Sequence, residues 1–140
     1  MKDGTIKDTS QINLPLVNME FTGNLYPVIR HRNHLDVIAA NPVQLAGDTI
    51  TYLFYTGAGQ VYGSSAAHKE ITPGIWGMVS GDANADDNIG LDEIQMDWEN
   101  TSGLGGYLPT DIDLNGQVDN TDKNFYMIPN LGKTGQLTND

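Results

Sequence analysis

The chain contains no cysteine, which excludes disulfides, thiolate metal sites and a cysteine nucleophile together. Cysteine usage leaves the compartment open, since exported chains can lack it too. No apolar run is long: Val37-Ile38-Ala39-Ala40 is typical, far below the roughly 20 residues that span a bilayer. Membrane insertion is therefore not expected. The start, Met1-Lys2-Asp3-Gly4-Thr5, lacks the apolar h-region of a signal peptide, which leaves a trimmed mature chain or a chain not exported by that route. Low-complexity tracts are absent and hydrophobic residues make up 39%, so the chain is globular rather than disordered. Basic residues are missing altogether between Asp82 and Asp122.

That last absence places the charge. Of the 18 acids in 140 residues, eleven lie in that segment, and the other seven are balanced by the seven Lys and Arg elsewhere. The whole net charge of −11 therefore sits in less than a third of the chain. Carboxylates at that density repel one another unless a cation is bound. Nucleic acid is not expected as a partner, by the same sign of charge.

The first eighty residues read as β. Short runs rich in β-branched and aromatic residues occur at 25–30, 35–39, 49–55, 60–62, 69–72 and 75–79. They are separated by Gly23-Asn24, Asn41-Pro42, Gly47-Asp48, Gly57-Ala58-Gly59 and Pro73-Gly74. In 49–55 the set Ile50, Tyr52 and Phe54 is expected to share one face. The first twenty residues have weaker periodicity and read as a wandering edge. The fold class expected is mainly β: an antiparallel β-sandwich or an open antiparallel sheet over 1–80, then a small α-helical module over 81–140.

After Gly81 two acidic loops appear, each followed by a short helical pattern at 91–98 and 120–128. Apolar residues recur there at helical spacing: Leu91, Ile94 and Trp98, then Phe125 and Ile128. Pro129 and Gly132 end the second helix. Asp82 and Asp111, the first residues of the two loops, lie 29 positions apart, and these units form the internal repeat of the chain.

Calcium is a hard cation that takes six to eight oxygens, and a twelve-residue loop supplies them from positions 1, 3, 5, 7, 9 and 12. In the second loop Asp111, Asp113 and Asn115 fill positions 1, 3 and 5, and Gly116 stands at position 6, where the turn requires positive φ. Gln117 offers its backbone carbonyl, Asp119 acts directly or through water, and Asp122 closes the site. In the first loop Asp82, Asn84 and Asp86 fill positions 1, 3 and 5, Asn88 supplies position 7 and Glu93 closes the site. Asp87 takes position 6, where Asp tolerates left-handed φ better than most residues. Position 9 is Gly90, so water is expected to substitute there. Ile89 and Val118, at position 8, are expected to pair with each other. Asx-rich surface turns use the same residue types. Two copies, each free of basic residues and followed by an amphipathic helix, favour a pair of calcium ions.

A loop followed by an exiting helix, with no proper entering helix, resembles the type I dockerin repeat. Gly81-Asp82-Ala83-Asn84-Ala85-Asp86 and the stretch from Asp111 to Asp122 carry the resemblance. Beyond them, Tyr26-Pro27-Val28-Ile29-Arg30-His31-Arg32-Asn33-His34-Leu35, Gly74-Ile75-Trp76-Gly77-Met78 and Pro129-Asn130-Leu131-Gly132-Lys133-Thr134-Gly135-Gln136 resemble the C-terminal region of large secreted surface proteins of Bacteroidetes and their allies. The resemblance implies an extracellular, non-catalytic role, with a β-sandwich running into a dockerin-like module. It implies additional strands before Asp3-Gly4-Thr5-Ile6, so an unfilled sheet edge and a homo-polymer built by strand addition are expected. A cohesin-like receptor is the alternative partner. Where dockerins often carry Ser-Thr at positions 10 and 11, this chain has Leu91-Asp92 and Asn120-Thr121, which argues against cohesin docking.

Other candidates have plainer readings. His31 and His34 lie three apart, which on one strand directs them to opposite faces, so a shared zinc ion is not expected. Arg30 and Arg32 share a face and are expected to pair with carboxylates. Gly57-Ala58-Gly59 lacks the Lys-Ser/Thr of a phosphate loop. Trp76 and Trp98 are expected to pack rather than to stack on sugars, the feature a carbohydrate-binding module would need. No Ser occupies a nucleophile elbow, and paired acids occur only within the loops, so no enzyme is expected.

Overall fold

The computed structural model describes residues 23–43, 50–63 and 66–136. The runs expected to be β give two antiparallel hairpins. β1 (Val28–His31) pairs with β2 (His34–Ile38) in the register Val28↔Ile38, Ile29↔Val37 and His31↔His34. β3 (His68–Thr72) pairs with β4 (Ile75–Met78), with His68 opposite Met78 and Thr72 opposite Ile75. The second hairpin turns at Pro73-Gly74, where proline presets φ and Gly74 adopts φ +80°, the chemistry of a type II turn. The Leu35 amide donates to the Val79 carbonyl at 2.8 Å, and the Val79 amide donates to Ala67 at 2.9 Å. The hairpins thereby meet along β2.

Alternation decides which side chains go inside. β2 buries Leu35 and Val37 and turns His34, Asp36 and Ile38 partly outward. Leu35, Val37, Val61, Ala67, Val79 and Ile89 form one core, with Phe54 and Met78 packed on it. Ile89 comes from the first acidic loop, so this packing crosses the boundary expected between residues 80 and 81. A second core joins Ala83, Trp98, Ile112, Val118 and Met127, with Ile94, Leu108 and Tyr126 against it.

The described residues thus form two small two-stranded sheets and two short helices, a small mixed α/β arrangement. The run expected as a strand at 49–55 differs. Its described part ends in a 3-10 turn, Phe54–Thr56. The Tyr52 hydroxyl donates to the Gln60 carbonyl at 2.6 Å and its ring packs on Phe54 at 4.7 Å, so local contacts curl the segment instead of laying it beside a neighbour. The 60–62 run contributes a single bridge, Ala39↔Val61. The Gly47-Asp48 turn, and the first twenty residues with Asp3-Gly4-Thr5-Ile6, lie outside the described residues.

Both helices appear where expected but are wound more widely. The first, α1, is π-helical over Glu93–Trp98 and continues as an α-helix over Glu99–Thr101, with the Glu99 amide bonded to the Ile94 carbonyl. The second, α2, is π-helical over Asp122–Met127 and tightens into a 3-10 turn over Ile128–Asn130. Bonds spanning five residues rotate the inward face away from a 3.6-residue period. Ile94 and Trp98 pack inward as expected, but Leu91, Phe125 and Ile128 are exposed, and α2 inserts Met127 instead.

Candidate metal centre

Each acidic loop is wound by its own side chains. The position 3 side chain accepts the position 5 amide, Asn84 from Asp86 at 2.9 Å and Asp113 from Asn115 at 3.0 Å. Position 5 then accepts from position 7, Asp86 from Asn88 at 2.9 Å and Asn115 from Gln117 at 2.8 Å. Position 1 accepts the position 6 amide, Asp82 from Asp87 at 3.0 Å and Asp111 from Gly116 at 3.1 Å. Position 12 accepts the position 9 amide, Glu93 from Gly90 at 2.5 Å and Asp122 from Asp119 at 2.8 Å. Short Asx side chains bonding amides two residues on are what wind such loops.

Position 6 takes left-handed φ in both loops, +67° at Asp87 and +89° at Gly116, as expected. Position 4 is left-handed as well, at Ala85 (φ 61°) and Leu114 (φ 63°). Neither residue type favours that region, and nothing in the sequence signals it.

The windings converge carboxylates. Oxygens of Asp82, Asp86 and Glu93 lie within 4.8 Å of one another, and so do those of Asp111, Asp113 and Asp122. These two clusters have geometry able to hold a metal ion. Asp82, Glu93, Asp111 and Asp122 are buried, and among the described residues none of the six carboxylates stands in an ion pair. Burial raises Asp82 to about 6 although backbone amides bond it. Burial raises Glu93 to about 7, with the neighbouring Asp92 charge adding to it. Asp113 is raised by burial and then by the charges of Asp122 and Asp111. Each cluster also holds one buried oxygen with no hydrogen-bond partner, Glu93 Oε1 in the first and Asp111 Oδ1 in the second.

The remaining residues named from sequence surround these clusters. The Asn84 amide donates to Asp86 at 3.3 Å and the Asn115 amide to Asp113 at 2.9 Å. Asn88 contributes its amide to Asp86, and Gln117 turns its side chain onto the Gly116 carbonyl at 3.0 Å. Asp119 is exposed, stands outside the second triad and is held low by the Thr121 amide.

The expected pairing of Ile89 with Val118 does not occur. Ile89 exchanges bonds with Lys133 and Gly132 (2.9 and 2.8 Å), whereas Val118 exchanges them with Leu104 and Gly103 (2.9 and 2.8 Å). Both partner segments follow the other loop's helix and are offset by the same 29 positions, so the repeats form reciprocal isolated bridges. Local loop chemistry cannot specify this, because the partners are supplied by chain beyond each helix.

The histidine reading also changes. His31 and His34 flank a hairpin turn, so they face each other with ring nitrogens 3.0 Å apart. Between them Asn33, fully buried, donates to the carbonyls of Pro109 and Asp111 at 3.1 Å each, and its own carbonyl accepts the Gly81 amide at 3.0 Å. Asn33 thereby ties the entrances of both loops to the first hairpin. Arg30 pairs with Asp36 at 3.2 Å as expected, but Arg32 bonds the Leu108 carbonyl and lies over the Tyr107 ring. Trp98 is buried, with its indole donating to the Asp119 backbone carbonyl at 2.9 Å. Comparison with models of known protein families, with curated proteins and with solved structures finds no match.

Proposed function

We propose that this chain is a calcium-binding structural module in which each acidic loop takes one ion. One observation carries the reading: each carboxylate triad contains a buried oxygen without any partner, Glu93 Oε1 or Asp111 Oδ1. A buried polar atom left unsatisfied costs about 1–3 kcal/mol, more when charged, and a cation removes that cost at both places. The donors are all oxygen, which suits calcium or magnesium rather than a soft metal. Flexible loops offering several carboxylates and carbonyls favour calcium, since magnesium keeps several of its waters.

In this reading the ions lock the two loops, through Ile89 and Asn33, to the hairpins, and the role is structural rather than catalytic. The likeness to a dockerin-like module behind a β-sandwich supports an extracellular setting, where calcium is abundant. The matching experiment is thermal melting in calcium and in excess chelator. Asp82→Ala and Asp111→Ala should lower the melting temperature further in calcium than in chelator, where only the loop hydrogen bonds to the Asp87 and Gly116 amides are lost. Equal losses in both conditions would remove the ligand assignment.

A second reading concerns partners. All four residues of β1 are exposed, including Val28 and Ile29, and among the described residues its only ladder partner is β2. An apolar edge of this kind supports strand addition by another copy of the chain over docking to a cohesin-like receptor. Light scattering in millimolar calcium should then report polymers, and a strictly monomeric protein would end this reading.

A further inference from the structure

The first loop lacks a side chain at position 9, where the second has Asp119. We propose that Asp92, two residues further on, supplies the missing carboxylate and holds a water of the first loop's ion. This rests on the calcium reading above.

Three observations place Asp92 there. A Cβ built on Gly90 would stand 2.3 Å from Asp92 Oδ1, so the Asp92 carboxylate occupies the space that a position 9 side chain would enter. Its other oxygen accepts the Asn84 amide at 3.1 Å, and Asn84 also bonds Asp86; the carboxylate therefore lies beside positions 3 and 5. Asp92 makes no capping hydrogen bond to α1, so its position is not explained by the helix start that it occupies. The cluster it faces contains Glu93, fully buried with Oε1 unpartnered.

Asp92 stands outside the triad whose oxygens converge within 4.8 Å. It therefore reaches the ion through a water, the route open to position 9 in loops of this length. A side chain at position 9 would have to displace the Asp92 carboxylate, which glycine leaves in place. The two loops reach one ligand count by different routes: Asp119 from position 9 in the second, Asp92 from position 11 in the first.

The test is calorimetric titration with calcium chloride on the full chain carrying Asp113→Ala, which silences the second loop. Asp92→Ala should weaken first-loop binding at least tenfold, the usual size for an outer ligand. Adding Gly90→Asp to Asp92→Ala puts the acid back at position 9, in space the alanine has vacated, and should restore affinity to within about threefold. Undiminished binding by Asp92→Ala overturns the proposal, and so does a loss that Gly90→Asp fails to rescue. If the Asp113→Ala parent binds no calcium, the calcium reading of the first loop has failed before Asp92 is tested.

Discussion

Acidifying the solution from pH 8 to pH 6 sets protons against the cation for the two desolvated carboxylates of the first loop. Glu93 titrates at about 7 and Asp82 at about 6 in the metal-free fold, both raised by burial. At pH 8 both are essentially ionised. At pH 6 about nine-tenths of Glu93 and half of Asp82 carry a proton, which must leave before the oxygens can coordinate. First-loop affinity should therefore fall about twentyfold across this interval, with proton release rising from about 0.1 to about 1.4 per ion. Titration calorimetry of the Asp113→Ala chain, in buffers of different ionisation heat, reads both quantities. The metal-free protein should move the opposite way. An acid raised in the folded state contributes stability that is complete below its unfolded value and lost as pH rises through the folded one. These two carboxylates should by themselves contribute about 1 kcal/mol more stability at pH 6.5 than at pH 8. His34, held down to about 4 by burial and then by His31, and His68, lowered by burial, oppose this, since each costs stability progressively as pH falls through about 7. Affinity that is flat between pH 8 and 6, with no proton release, would refute the claim that these carboxylates meet at an ion.

Three further outcomes follow from the packing. Leu35→Ala removes a fully buried side chain from the hairpin core and should cost about 3 kcal/mol in urea unfolding. Asn33→Ala leaves the carbonyls of Pro109 and Asp111 without their side-chain donor; a loss of about 2 kcal/mol should be accompanied by weaker calcium binding in the second loop, read by titration. Gly116→Ala meets no atom within 4 Å, yet its φ is +89°. The backbone alone should cost about 1–2 kcal/mol, checked by melting in excess chelator.

Much of the candidate centre is legible because its forces are local. Asp82, Asn84 and Asp86, and their counterparts Asp111, Asp113 and Asn115, bond amides two to five residues away, so spacing alone places them. The four strand runs that became β1 to β4 were legible for a related reason, since each hairpin closes within a few residues. The 49–55 run was misleading because its apolar alternation does not reveal that Tyr52 bonds Gln60 and curls the chain. His31 and His34 were misread because the turn between them has no glycine to mark it.

The amino-acid order by itself determined where negative charge gathers, which residues begin and close each loop, and why position 6 must accept left-handed φ. These are properties of segments shorter than thirteen residues, where chain entropy leaves few alternatives. The tertiary structure alone decided that Ile89 and Val118 each pair beyond the other loop's helix, that α2 buries Met127 rather than Phe125, and that Asn33 joins both loops to one hairpin. It also decided that Asp92 fills the space left by Gly90. All but the last depend on bonds and burial between residues far apart in the chain, or on the phase of a helix, and the last on a side-chain rotamer; none leaves a periodic trace in the order of side chains.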